Sequence, residues 1–311
     1  MISREKQSFR DDVFSNFPSY LRPGDCLVLN DTRVFPARLQ GRRNSNTGAR
    51  IELFLARALD TEEKTWTALV KPGKRVRKGD HILFGNALRA EVLDESEFGE
   101  RRVRLHGAEP IKDVLERLGE TPLPPYIHRR ATEWDRERYQ TIFAEKRGSV
   151  AAPTAGLHFT PRILDDCRAA GADIAHVTLH VGLGTFAPLR GDELSKITLH
   201  EEYFELRESE AEVLRRAGRL VCVGTTSVRT IETAMLRQGL HSIAGETNLF
   251  IYPGFHFRAT GAILTNFHLP QSSLLMLVCA FAGRDLVLAA YHHAIDAGYR
   301  FFSYGDSMLI E

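Results

Sequence analysis

Ile51-Glu52-Leu53-Phe54-Leu55, Thr65-Trp66-Thr67-Ala68-Leu69-Val70, His81-Ile82-Leu83-Phe84 and Val103-Arg104-Leu105-His106 are short, partly alternating apolar runs. They are separated by Asn44-Ser45-Asn46-Thr47-Gly48, Lys71-Pro72-Gly73-Lys74, Lys78-Gly79-Asp80 and Phe98-Gly99-Glu100, all with turn chemistry. Alternation puts successive side chains on opposite faces, so each run buries one face and wets the other. Five or six short strands at this spacing predict a small β-barrel. The stretch is also basic: residues 33–107 hold 16 Lys or Arg against 10 Asp or Glu, a net of +6 in a chain whose formal total is +1. The remainder must therefore be acidic.

Outward from this stretch the periodicity changes. Ile111 to Leu118 reads as a short amphipathic helix, stopped by Gly119 and by Pro122-Leu123-Pro124-Pro125. Pro161 opens a helix to Ala170, Gly171 caps it, and Ile174 to Val181 follows as a strand. The order recurs with a helix over Glu210–Ala217, a strand over Arg219–Val223 and a helix over Thr225–Leu236, and two late helices span Ser272–Ala282 and Leu286–Ala297. The predicted fold class is α/β: a main α/β domain of residues 1–35 and 108–311, with an inserted small, basic β-barrel domain of residues 36–107.

The chain has 311 residues, 43% of them hydrophobic, enough for about two domains and a sizeable core. No apolar stretch approaches the roughly 18 residues of a membrane span, and no apolar signal core follows Met1, so a cytoplasmic protein without membrane association is expected. Cys26, Cys167, Cys222 and Cys279 form no CxxC pair and read as small buried hydrophobes. The basic excursion suits a module that handles phosphates beside one that does chemistry, or else a merely solvated surface.

Polar residues gather where apolar runs end. Leu27-Val28-Leu29 runs into Asn30-Asp31-Thr32-Arg33, an amide, a carboxylate, a hydroxyl and a guanidinium together, which lines a site or closes an Asx-turn. The small-residue run Ala151 to Phe159 lets backbone approach a ligand, with His158 available as acid, base or hydrogen-bond donor. His176, Thr178 and His180 share a strand face. A metal there would need His158, His200 or Glu202 as third ligand, and no metal motif supports one. Gly182 and Gly184 lack the third glycine and helix of a dinucleotide fingerprint. Val221-Cys222-Val223-Gly224 opens onto Thr225-Thr226-Ser227-Val228-Arg229, a helix start suited to an anion or to simple capping. Tyr252-Pro253-Gly254, Thr265-Asn266-Phe267-His268-Leu269-Pro270 and Phe302-Ser303-Tyr304-Gly305-Asp306 add aromatics beside hydrogen-bonding groups, suited to a planar base and a sugar.

Through these segments, and through Pro36-Ala37-Arg38 and Pro122 to Ile127, the chain resembles the S-adenosylmethionine:tRNA ribosyltransferase-isomerase family of queuosine biosynthesis. The resemblance implies transfer of the ribosyl part of S-adenosylmethionine to 7-aminomethyl-7-deazaguanine at the tRNA wobble position. Isomerisation then gives the epoxycyclopentane-diol of epoxyqueuosine, with adenine and methionine leaving. S-adenosylmethionine is consumed, so no cofactor and no metal are expected; the partners are S-adenosylmethionine and tRNA, the assembly a monomer or homodimer. Family members carry further residues before the part matching Met1–Pro23, so the alternative is a catalytically impaired tRNA-binding protein lacking that N-terminus. A weaker rival is a metal-dependent hydrolase using His176 and His180.

Roles at matched positions follow from residue chemistry. Asp306 or His158 is the base that removes the proton acidified by the sulfonium, with the other or Tyr304 as acid, while Asp31 and Arg33 complete the catalytic set. Arg33 and Arg229 neutralise carboxylate or alkoxide charge, and Thr225, Thr226 and Ser227 receive the methionine carboxylate. Phe159, Phe186 and Tyr304 are candidates for stacking a base. Asn30, Thr32, Thr154, His180, Gly184, Thr185, Asn266 and His268 complete the expected substrate contacts. Arg42, Arg43, Lys71, Lys74, Arg75, Arg77, Lys78, Arg101 and Arg102 form a barrel surface that contacts tRNA phosphates.

Overall fold

The computed structural model describes residues 1–44, 48–95, 99–182 and 194–311, and the expected contacts Gly184, Thr185 and Phe186 lie outside the described residues. The chain divides into two compact units. The first comprises Met1–Arg33, Gln140–Lys146 and Ala152–Glu311; the second comprises Val34–Tyr139 and Arg147–Ala151. Residues 108–139, expected in the α/β body, thus cluster with the barrel. The reason is local burial: helix Ile111–Leu118 sinks Ile111, Val114 and Leu115, and Arg38 bridges Glu120.

In the second unit, Arg38–Arg43, Arg50–Ala58, Thr65–Lys71, His81–Phe84, Leu88–Glu95 and Glu100–His106 close an antiparallel barrel. Alternation does what period two requires: Leu39, Ile51, Leu53, Leu55, Trp66, Ala68, Ile82, Phe84, Ala90, Val92, Val103 and Leu105 fill the interior.

The first unit is built on a nine-stranded sheet. At its centre four strands run parallel in the spatial order Asp173–Leu179, Asp25–Asn30, Arg219–Val223, Thr260–Asn266. Their apolar runs are continuous because both faces are covered. Cys26, Val28, Cys222 and Ile263 pack on one side with Val228 and Ile231 of helix Thr225–Gln238 and with Leu277 and Val278 of helix Ser273–Ala282. Leu27, Leu29, Val221, Val223 and Leu264 pack on the other with Phe17, Phe159, Leu164 and Cys167. All four cysteines are buried and free. No single helix among the described residues is long and apolar enough to cross a membrane.

Candidate active site

In open α/β sheets, ligands bind beyond the carboxyl ends of the parallel strands, where the backbone turns out of the ladder. Four neighbouring strands end here at Leu179, Asn30, Val223 and Asn266. The polar segments His180–Gly182, Asn30–Thr32, Gly224–Ser227 and Asn266–His268 therefore emerge along one edge of one sheet.

Asn30 is fully used by this edge: its Nδ2 donates to Leu179 O (3.0 Å), and its Oδ1 accepts from the N–H of Leu179 and of Thr32 (3.1 Å each). It splices two strand ends and keeps no free amide atom. Asp31 is buried, accepting from Thr178 Oγ1 at 2.6 Å and facing Arg207 Nη2 at 3.4 Å. Burial pushes its carboxyl above the usual range, opposed by the Thr178 hydroxyl and the Arg207 guanidinium. Thr32 Oγ1 lies 2.8 Å from His180 Nδ1, and the His180 ring stacks on Tyr203 at 5.4 Å. Burial lowers the His180 pKa to about 4, so this imidazole is neutral at physiological pH. His176 turns to Glu210 instead, 4.0 Å away. Among the described residues no three His, Cys, Asp or Glu converge as metal ligands.

Gly224 turns the chain from strand to helix with φ 86°, a conformation costly for any side chain. The helix that follows leaves first-turn N–H groups without intrahelical acceptors. Thr226 Oγ1 is buried there with no partner, whereas Ser227 Oγ is spent on Val223 O at 2.8 Å. Arg229 is buried and salt-bridged to Glu202, and its Nε donates to Leu249 O at 3.1 Å. The other Glu202 oxygen accepts the Gly182 N–H at 2.7 Å. Arg229 therefore braces the helix against a buried carboxylate and offers only one unpartnered nitrogen, Nη2.

Asn266 organises the remaining edge. Its Nδ2 donates to Phe302 O (3.1 Å) and Gly305 O (3.4 Å) and lies 3.3 Å from His158 Nε2. Carbonyl oxygens only accept, so it is the amide nitrogen of Asn266 that faces them. The Asn266 Oδ1 is buried without a partner. The turn it holds is tight: Phe302 has φ 72°, and a Cβ on Gly305 would run into Arg300 O and Phe301. That turn carries Tyr304, which is exposed, and Asp306, whose Oδ2 accepts the Arg300 N–H at 2.7 Å. Burial lowers the His158 pKa, while the Asp306 charge pulls it back up, so the two groups feel each other. His268 bonds Thr265 through Nε2 (2.9 Å), and burial lowers its pKa to about 3.

Three expected residues take no part in these hydrogen bonds. Phe159 is buried edge-on against Phe14 and Phe17 in the core. Arg33 is exposed, and Thr154 opens the short turn Thr154–His158. Sequence alone does not single out Arg207 or Tyr203, and it offers Glu202 only as a possible metal ligand. Charge alternation in Glu202-Tyr203-Phe204-Glu205-Leu206-Arg207 is the one signal there, and it does not reveal which charges are buried.

In the barrel unit, the expected cations sit at one end, where Thr65–Lys71 finishes and Arg38–Arg43 meets His81–Phe84. Lys71, Lys74, Arg75, Arg77 and Lys78 are exposed and form no ion pair among the described residues. Arg42 is exposed, Arg43 pairs with Asp80 at 2.7 Å, and Arg102 with Asp94 at 3.4 Å. Arg101 corrects the expectation of a surface cation. It is 8% exposed, and its guanidinium donates to Gly99 O, Glu100 O and Gly73 O and pairs with Glu95. It braces the base of the Lys71–Lys78 segment from beneath.

Residues 1–310 match the family model described as queuosine biosynthesis protein. The chain is 53% identical to the S-adenosylmethionine:tRNA ribosyltransferase-isomerase of Solibacter usitatus, over all of this chain and 92% of that protein. It is 47% identical to the enzyme of the same name from Clostridioides difficile, again over all of this chain and 92% of the relative. The crystal structure of S-adenosylmethionine tRNA ribosyltransferase from Thermotoga maritima is similar with a TM-score of 0.53 at 36% identity, covering all of this chain and 90% of that one. A barrel of six antiparallel strands, a mixed sheet with its polar motifs along one carboxyl edge, and a match from the first residue to the penultimate one agree: the chain belongs to the queuosine biosynthesis protein family.

Proposed function

We propose that this protein transfers and isomerises the ribosyl moiety of S-adenosylmethionine onto 7-aminomethyl-7-deazaguanine at the tRNA wobble position, releasing adenine and methionine. The observation that carries the reading is the shared carboxyl edge, where a histidine whose pKa burial lowers, a carboxylate and a helix start with an unsatisfied hydroxyl lie within one unit. S-adenosylmethionine is consumed, so the reaction needs no resident cofactor. The setting is the cytoplasm, where tRNA and S-adenosylmethionine are both present.

The methionine carboxylate binds at the first turn of helix Thr225–Gln238, where free N–H groups and the Thr226 hydroxyl favour an anion. Asp306 removes the ribose proton acidified by the sulfonium. The proton that Asp306 takes up is relayed through His158 to departing adenine, so the imidazole begins and ends with the same charge. Asp306 Oδ2 accepts the Arg300 N–H, and the Asn266 amide, lying against His158 Nε2 and Gly305 O, holds the two segments that carry these residues in register. Arg33 and Tyr304 at the exposed rim meet the developing alkoxide. Asp31 and His180 sit behind the edge and orient Thr32 and Thr178 without touching substrate.

Incubation with S-adenosylmethionine and tRNA bearing the aminomethyl deazaguanine should release free adenine and methionine. tRNA binding without adenine would instead identify an impaired binding protein. Asp306→Asn and His158→Ala should each abolish adenine release, and near-normal turnover in both would refute the roles. The wobble base must leave the stack to react. The barrel holds the surrounding phosphates: reversing Lys71, Lys74, Arg75, Arg77 and Lys78 should weaken tRNA binding and lower its salt slope by about 0.7 to 0.9 for each phosphate no longer neutralised.

A further inference from the structure

We propose that Trp134 is a stacking platform for an unpaired base of the bound tRNA, an inference that rests on the tRNA-modifying reading above. The chain has two tryptophans with opposite fates. Trp66 fills the barrel interior at 2% exposure; Trp134 stands on the surface of the same unit at 72%. An indole left in water keeps both ring faces open to a planar partner.

The indole's support is rigid. It rides on helix Glu133–Arg138, six residues that would not hold together alone. A capping box closes the start, with the Thr132 N–H and hydroxyl both donating to Asp135 Oδ2 at 2.7 and 2.8 Å. Arg129 forks onto both Asp135 oxygens at 2.6 and 2.7 Å, and with the Thr132 bonds holds that buried carboxyl well below its usual range. Arg136 ties the helix to Glu116 of helix Ile111–Leu118, through the carbonyl and through Oε2 at 3.1 Å. Every charged side chain in these ties is spent on holding the helix; none shields the ring.

The cations left over point to the occupant. Arg130 and Arg138 are exposed and form no ion pair among the described residues. Arg138 follows Trp134 by four residues, the spacing at which helix side chains are neighbours. Exposed Glu133 and Glu137 nearly cancel the local charge, so this is no phosphate comb like Lys71–Lys78. What distinguishes it is an exposed indole on a tied helix with an exposed arginine one turn further on, the composition that stacks a single-stranded base and meets its phosphate.

The tryptophan is its own probe. Because Trp66 is shielded, tRNA should quench the emission of the wild-type protein, and Trp134→Phe should remove most of that response. Stacking on an aromatic is worth about 1 to 3 kcal/mol per base, so Trp134→Ala should weaken tRNA binding about 5- to 150-fold at fixed salt. Trp134→Phe should stay within a few-fold of wild type, and the salt slope of Trp134→Ala should be unchanged because every phosphate stays neutralised as before. S-adenosylmethionine binding, read by equilibrium dialysis, should not move. Wild-type affinity in Trp134→Ala, or equal losses in the Ala and Phe variants, would overturn the platform while leaving the tRNA reading intact. Absence of tRNA binding by the wild type would overturn both.

Discussion

Replacing Glu202 by Ala strands the Arg229 guanidinium in the core of the first unit. The two side chains are 5% and 7% exposed, far from the solvent screening that makes surface pairs nearly worthless. Breaking a buried pair by removing one partner costs about 3 to 5 kcal/mol, because the remaining charge is neither hydrated nor matched. Here the cost includes the bond from the Gly182 N–H, 2.7 Å from the other oxygen of the same carboxylate. The unfolding equilibrium should therefore shift by roughly 10² to 10⁴. Urea titration followed by far-UV circular dichroism is the suitable assay. Trp66 and Trp134 both belong to the barrel unit, so tryptophan emission would not report on the unit that is damaged. The decisive comparison is a cycle. Arg229→Met leaves the Glu202 carboxylate without its guanidinium, Glu202→Gln leaves the guanidinium without its carboxylate, and the double variant Glu202→Gln, Arg229→Met removes both charges while keeping an acceptor for the Gly182 N–H. If the pair is energetically coupled, the double variant should be at least about 1 kcal/mol more stable than the sum of the two single effects would make it. Additivity within about 0.5 kcal/mol, or a Glu202→Ala cost below about 1 kcal/mol, would refute the reasoning.

Two further outcomes follow from the same edge. Thr226→Val keeps the volume but deletes the unpartnered hydroxyl, and should raise the KM for S-adenosylmethionine about 10- to 150-fold, the worth of one hydrogen bond to a charged group. Ser227→Ala, whose hydroxyl is already spent on Val223 O, should leave that KM within about twofold in the same steady-state assay. Protonation of His180 opposes folding: its pKa falls from 6.5 to about 4 in the folded chain, so the unfolded chain takes the proton first. Stability should therefore decline as pH falls from about 6.5 to about 4, by up to about 1.4 kcal/mol per pH unit from this group. His180→Gln should remove that part of the slope in urea titrations at pH 7, 6 and 5; an unchanged slope would exclude His180 as its source.

Local information reaches a long way into this fold. Alternation over Ile51–Leu55, Thr65–Val70 and Val103–His106 specifies barrel strands, because a strand's two faces are written in every second residue. Helix Ile111–Leu118 and strand Arg219–Val223 match their expected bounds, because the residues that start and stop them are their own neighbours in sequence. The Asn30, Gly224 and Asn266 segments are legible as polar punctuation after apolar strands, and the family resemblance follows from their order.

What each charged side chain does is legible only in three dimensions. Arg101 and Arg229 are as cationic in sequence as Lys71 or Arg75, yet each is buried and consumed by carbonyls or a carboxylate supplied by other strands and loops. Ser227 and Thr226 are adjacent hydroxyls at one helix start, and only the packed backbone spends one and leaves the other unsatisfied. By itself, then, the sequence determined the barrel strands, helices such as Ile111–Leu118 and Thr225–Gln238, and the family, all of which depend on neighbouring residues and their order, while helix Glu133–Arg138 and strand Thr260–Asn266 were not legible in it. The tertiary structure alone decided which four strands lie parallel side by side, which charges are neutralised, and which distant groups the Asn266 amide meets. Those properties depend on burial and on partners up to a hundred or more residues away, and no local pattern encodes them.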